Sequence, residues 1–279
     1  MTRGVLARGR DGEPIWIDLV DPGPDELAAA ARELGMDPPA HDAGDDATLP
    51  RLRRAPVGVS LALVGVSPDE RLREVRCHVA GGRLLTVRAA AGPSLDGLDP
   101  SPGPSTAGRA LAVLVDRLVT SLVEHTDDVA AAVGDLGLGR DRGDLARIRR
   151  ALSSLRRVVV LQQDVIGRLA SEDDVVDDAA ARHLRDAYGR MGQLGTELEA
   201  TREALHDAAA DRENDVVRRL TLIAVIFLPL TFLTGFFGQN FPWLVEHIGG
   251  VWWFVALGLV LPTLAVGALL LVLRRSGWV

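Results

Sequence analysis

The stretch Leu220-Thr221-Leu222-Ile223-Ala224-Val225-Ile226-Phe227-Leu228-Pro229-Leu230-Thr231-Phe232-Leu233-Thr234-Gly235-Phe236-Phe237 carries no charge over 18 residues. After Gly238-Gln239-Asn240-Phe241-Pro242-Trp243, a second uncharged segment runs from Val251 to Leu273. At a rise of ~1.5 Å per residue the first makes about 27 Å of helix, and both are long enough to cross a bilayer. A buried soluble hairpin is the alternative. Against it, Trp243, Trp252, Trp253 and Trp278 bracket the segments, where an amphipathic indole meets lipid headgroups. Arg218 and Arg219 precede the first segment and Arg274 and Arg275 follow the second, whereas the loop between them carries only Glu246 and the titratable His247. The positive-inside rule then predicts a multi-pass protein of the cell (inner or plasma) membrane, with both termini cytoplasmic and the loop outside.

Composition narrows the chemistry. The chain has 279 residues and a formal charge of -7, with no basic patch to suggest a nucleic-acid partner. Met1 to Leu19 lacks a continuous apolar run and contains Asp11, Glu13 and Asp18, so no signal peptide is expected there. Cys77 is the only cysteine, which rules out an internal disulfide and a multi-thiolate zinc site within one chain. Lysine is absent altogether, and with it the Gly-rich phosphate loop ending in Lys-Ser/Thr and any Schiff base. No His-Glu-x-x-His, Gly-x-Ser-x-Gly or Gly-x-Gly-x-x-Gly arrangement occurs, so neither an enzyme nor a nucleotide-driven pump is expected.

Upstream of the spans the pattern predicts an α+β domain, an α/β sandwich, over residues 1–104. Ile15 to Leu19, Val57 to Val66, Glu74 to Val79 and Arg83 to Val87 read as strands, and Asp25 to Leu34 as a helix after Pro22-Gly23-Pro24. Gly81-Gly82 is the expected hairpin turn between the last two strands. Ala91 to Pro104 contains Pro93, Pro100, Pro102 and Pro104 and reads as a linker or long loop. Residues 105–219 form a helical stalk, starting at a Ser105 or Thr106 cap with Leu111, Leu114, Leu118 and Leu122 at helical spacing. The acidic run Glu172 to Asp178 interrupts it. From Ala179 no proline occurs until Pro229, so one helix of 59 residues, roughly 90 Å, is expected to run into the first span. The remaining divisions are that span at 220–238, a loop at 239–250, the second span at 251–273 and a basic tail at 274–279.

On that long helix Asp207, Asn214, Thr221, Ala224, Leu228, Thr231 and Gly235 fall close to one face. Small and polar residues also form ordinary seams between membrane helices, which is the plainer reading of any one of them. As a stripe they suggest a polar path. Two spans cannot enclose water alone, so a path needs several copies around an axis.

Here the chain resembles the CorA family of divalent-cation transporters. The residues responsible are Asn214-Asp215-Val216-Val217-Arg218-Arg219-Leu220-Thr221, Phe227-Leu228-Pro229-Leu230-Thr231 and Gly235-Phe236-Phe237-Gly238-Gln239-Asn240-Phe241. Similar features are Trp16-Ile17-Asp18-Leu19, Leu84-Leu85-Thr86-Val87-Arg88, Arg185-Asp186-Ala187-Tyr188 and Arg274-Arg275-Ser276-Gly277-Trp278. The resemblance implies a funnel-shaped homopentamer with the first spans lining the pore and the cytoplasmic domains at its wide end. It also implies a selectivity filter at Gly238, Gln239 and Asn240 and a conduit along Asn214, Val217, Leu220, Thr221, Ala224, Leu228, Thr231 and Gly235. The family's Gly-Met-Asn triplet is here Gly238-Gln239-Asn240, and a ZntB-type branch associated with zinc also varies the middle residue, so Mg²⁺, with Co²⁺, is the first expectation and Zn²⁺ the second.

The physics of the ion agrees with such a filter. Mg²⁺ sheds water reluctantly, so a ring of neutral Asn240 amides can hydrogen-bond the hydrated ion without stripping it. The plainer alternative is that Gly238 and Asn240 only end a helix before Pro242. Leu228 and Val217 match apolar pore positions that gate by dewetting, and Glu246 would concentrate cations at the outer mouth. Thr231 either lines the pore or bonds back to a helical carbonyl near Pro229. A divalent cation entering a negative-inside cell gains ~4.6 kcal/mol per 100 mV, so passive uptake needs no fuel. The resemblance further implies closure by cytoplasmic metal. Asp186 matches a sensor carboxylate, and Glu203 and Asp207 are further candidates, although such charges, like those of 172–178, ordinarily form a solvated surface. The rivals are a proton-coupled zinc transporter and a non-conducting, membrane-anchored coiled-coil scaffold.

Overall fold

The computed structural model describes residues 2–9, 11–38, 49–55, 57–95, 98, 106–135, 142–238, 246–247 and 250–275. It divides into two compact units, Met1–His206 and Asp207–Val279.

The first unit is built on a six-stranded sheet in the order β1-β2-β6-β5-β4-β3, from Thr2–Arg8 (β1), Pro14–Val20 (β2), Arg51–Arg54 (β3), Val59–Val66 (β4), Leu72–Ala80 (β5) and Arg83–Arg88 (β6). Every neighbouring pair is antiparallel except β2 with β6, where Trp16 stands beside Leu84 and Asp18 beside Thr86. Gly81 and Gly82, at φ +55° and +74°, form the two-residue turn joining Ala80 to Arg83. That conformation costs glycine no Cβ clash and matches the strand twist. The edge strands β1 and β3 are additions to the sequence reading. Arg51-Leu52-Arg53-Arg54 carries one apolar residue and shows no alternation, so it becomes a strand only because β4 offers it a ladder.

Both sheet faces are covered. Helix α1 (Pro24–Glu33), with Pro24 at its start and Asp25 and Glu26 in its first turn, packs Leu27, Ala30 and Ala31 against Ile17, Leu19 and Leu85. The opposite face packs Trp16, Leu61, Cys77 and Leu84 against helix α2 (Ala107–Gly134) through Leu111, Leu114, Leu118 and Leu122. Thr106 caps α2, accepting a bond from the Arg109 N–H at 3.3 Å. Leu95 is buried in this core, so the start of the expected Ala91 to Pro104 linker belongs to the domain. Its Pro100, Pro102 and Pro104, with Ser105, lie outside the described residues.

Helix α3 (Arg142–Leu169) seals the sheet by a polar device. Beyond β3 the edge of β4 is unpaired, and the buried Gln162 amide closes it, accepting from the Val64 N–H at 2.7 Å and donating to the Val64 carbonyl at 3.0 Å. Ser121 of α2 accepts from the Val66 N–H at 3.1 Å. Side chains thus stand in for a strand.

Helix α4, Asp178–Phe237, is continuous for 60 residues, as the absence of proline before Pro229 predicts. In the second unit a helix α5 follows, made of Val251–Val255, a π-helical turn Ala256–Val260 and Leu261–Arg275. The π turn is marked by the Leu261 N–H bonding Ala256 five residues back, immediately before Pro262, which has no N–H to give. The uncharged windows of α4 and α5 are 0% and 6% buried. A core helix of a soluble protein is mostly buried, so these are surfaces made for lipid or for other copies of the chain.

Candidate functional site

Across its span the face of α4 named above projects into open space. Leu228 is 76% exposed, Leu220 62% and Val217 56%, and Asn214, Ala224, Thr231 and Gly235 are exposed with Thr221 half-buried. A Cβ built on Gly235 meets nothing within 4 Å. The chain therefore brings these residues onto one helix, and among the described residues nothing covers them.

The threonines on this segment are bonded to the helix itself. Thr221 donates to the Val217 carbonyl at 2.9 Å, Thr231 to Phe227 at 2.7 Å and Thr234 to Leu230 at 3.0 Å. This is the back-bonding alternative for Thr231. It does not remove the residue from ion chemistry, because the proton is committed inward while the oxygen lone pairs remain free to accept from the water shell of a cation.

Gly238 ends α4, its N–H bonding the Thr234 carbonyl at 2.9 Å. It is not among the glycines with positive φ, so left-handed tolerance is not why glycine stands there. A Cβ would come within 3.0 Å of the Thr234 carbonyl oxygen. Gln239 and Asn240, with Trp243 and Trp278, lie outside the described residues. Glu246 is exposed, and Trp252 and Trp253 are 86% and 51% exposed at the start of α5.

Asp186, Glu203 and Asp207 are all exposed on α4, and the described residues contain no group of three or more His, Cys, Asp or Glu placed to hold a metal. Within one chain the three carboxylates are not brought together with further ligands.

In the acidic run Asp173, Asp174 and Asp178 are exposed, as expected of a solvated surface, whereas Glu172 and Asp177 are taken up by partners. Glu172 pairs with Arg54 of β3, whose pKa is raised by that bond. Asp177 caps α4 by accepting from the Ala180 N–H at 2.8 Å, and its second oxygen accepts from Thr106 at 3.2 Å. The backbone N–H of Ala180 is the main reason its carboxyl titrates below the usual range. No spacing rule separates these two carboxylates from the others of the run, because their partners come from distant elements.

A buried polar network lies where two of the recognisable sequence stretches meet. Trp16 Nε1 donates to Thr86 Oγ1 at 3.0 Å, Thr86 donates to Asp18 Oδ1 at 2.7 Å and Arg88 Nε donates to Asp18 Oδ2 at 3.0 Å. Arg88 also reaches the Pro93 carbonyl at 3.2 Å. Beside it the thiol of Cys77 is buried, and desolvation with the Asp18 charge pushes its pKa up. His78 is satisfied by Ser60 at 2.9 Å, and burial lowers it to about 4. Neither group is placed to act on a substrate.

Residues 11–275 match the model of a family described as CorA-like Mg²⁺ transporter protein. Among solved structures, the complete CorA magnesium transporter of Methanocaldococcus jannaschii is 18% identical at a TM-score of 0.61, covering 95% of this chain and 91% of that one. The ZntB cytoplasmic domain of Vibrio parahaemolyticus is 16% identical at a TM-score of 0.59, covering 72% and 86%. At these identities the structures show the fold that the chain shares with both, not its ion.

Proposed function

Since the chain belongs to the CorA-like Mg²⁺ transporter family, whose members are transporters rather than enzymes, we propose that it conducts divalent cations passively through a homopentameric pore in the membrane, driven by the membrane potential, with Mg²⁺ its first substrate and Co²⁺ its second. The observation that carries this reading is the span of α4: 0% buried in the single chain, yet bearing Thr221, Thr231 and Thr234 among its apolar residues, with Asn214 two positions before it. A purely lipid-facing surface has no use for those polar groups, whereas five such faces around an axis form a conduit. In that arrangement Gly238, Gln239 and Asn240 select at the outer mouth, Glu246 raises the local cation concentration, and Val217 and Leu228 close the path by dewetting. Cytoplasmic metal on Asp186, Glu203 or Asp207, completed by groups of a neighbouring copy, holds it shut.

Zinc is kept as a second substrate reading because the shared fold extends to a ZntB domain and because Gln239 replaces the family's methionine. The test is flux into liposomes holding the purified protein under an inside-negative potential. Mg²⁺ influx that falls at least tenfold in Asn240→Ala, with the assembly intact, is the expected result. Zn²⁺ flux alone reassigns the substrate. An assembled protein that passes neither ion sinks the transport reading in favour of a scaffold.

A further inference from the structure

We propose that the outward face of α3 is a docking surface for anionic lipid headgroups. From Leu145 to Gln163 the chain holds five arginines, Arg147, Arg149, Arg150, Arg156 and Arg157, and no Asp or Glu. In a protein of formal charge -7 such a run reverses the local sign. The helix turns it into a surface. Ile148, Leu152, Leu155, Val159 and Ile166 are buried on one side of α3. At ~100° per residue Arg149, Arg150, Arg157, Val160 and Leu161 fall within about 120° of the other side, along about 18 Å of helix. All five are exposed.

The charge on this face has no counter-charge. Arg156, at its flank, pairs with Glu199 of α4 at 2.7 Å. Among the described residues, none of Arg149, Arg150 and Arg157 lies within ion-pair distance of a carboxylate. Arg150 donates its Nε–H to the Ala146 carbonyl at 3.2 Å, which leaves its terminal nitrogens for a ligand. A guanidinium grips a phosphate through two parallel N–H bonds, and three of them stand on this face. Beside Arg157, Val160 is 56% and Leu161 36% exposed. Arginine next to bare aliphatic side chains suits the headgroup layer, where phosphates meet acyl chains. A nucleic acid also offers phosphates, but it leaves Val160 and Leu161 unmatched and finds no aromatic ring between Leu145 and Gln163 to stack on. The two spans hold every copy in a bilayer, so lipid is present at high local concentration. Each arginine near an anionic surface favours docking roughly fivefold, so the three together favour it on the order of a hundredfold.

Docking needs a membrane but not ion transport, so a failure of the transport reading leaves this test intact. A fluorophore on Ser153→Cys, exposed between Arg149 and Arg157, reports contact with lipids that carry a nitroxide quencher on the headgroup. Cys77, 0% exposed, stays unlabelled. With the full-length protein in nanodiscs, quenching is expected to be about fivefold stronger in equal parts of phosphatidylglycerol and phosphatidylcholine than in phosphatidylcholine alone. It is expected to weaken as added salt shortens the Debye length below ~10 Å. Arg149→Gln, Arg150→Gln and Arg157→Gln together are expected to return it to the phosphatidylcholine level with the thermal transition unchanged, whereas Lys at the same three positions keeps most of it. Equal quenching in both lipids overturns the proposal, as does a rise that survives the loss of the three charges. A label already shielded in lipid-free detergent, and freed by Glu203→Gln, puts the acidic face of a neighbouring copy on the ridge and overturns it too.

Discussion

His78 shows how far a single residue's role departs from its type. Histidine invites thoughts of metal ligation or proton sensing, yet this ring is buried with Ser60 bonded to it at 2.9 Å, and burial, then the charge of Arg76, favours its neutral form. Its pKa falls from 6.5 to about 4, so the unfolded chain binds a proton between those values that the folded chain refuses. Stability from this group is complete above pH 6.5 and is lost as the pH falls toward 4, by up to ~3 kcal/mol. Thermal unfolding of the protein in detergent is expected to weaken over that window, and His78→Gln to flatten the dependence. An unchanged slope in the variant would show that another group carries it. At the same scale, Asp18 lies in a segment whose pattern reads only as a strand, and its burial with Thr86 and Arg88 comes from the pairing of β2 with β6, which no local pattern encodes.

At the scale of elements, Gln162 joins α3 to an open strand. Both ends of its amide are used on Val64, so Gln162→Leu would keep the volume and strand a backbone donor and acceptor in the core. The expected cost is about 2–3 kcal/mol of stability, with faster amide exchange at Val64 as its local signature. A loss below ~0.5 kcal/mol would mean that water or a neighbour replaces the amide. The strong elements were legible in advance. Helical spacing marked α2, the absence of proline marked α4, and Gly81-Gly82 marked a hairpin, because each rests on short-range geometry. Strands β1 and β3 were not legible, since an edge strand with only one to three apolar residues exists through its neighbour's hydrogen bonds.

For the whole molecule, the bare span of α4 is the governing fact. A lone pair of helices leaves Leu220, Leu228 and Thr231 with only lipid to meet, and polar groups in lipid are drawn to one another. The detergent-solubilised protein is expected to run at five times its 29.8 kDa chain mass by light scattering with detergent correction. A stable monomer or dimer that still conducts would remove the shared conduit.

By itself the sequence determined that two C-terminal segments belong to a membrane, that an α/β domain and long helices precede them, and that the family is CorA-like. These follow from hydropathy, periodicity and ordered motifs, which are local quantities. Only the tertiary structure decided which carboxylates of 172–178 carry weight, that Asp18 is buried and paired, that Gln162 closes the sheet, and that Thr106 of α2 is tied to Asp177 at the start of α4. Each of those depends on residues 68 to 118 positions apart being folded against one another, where burial and hydrogen-bond geometry, not residue type, set the role.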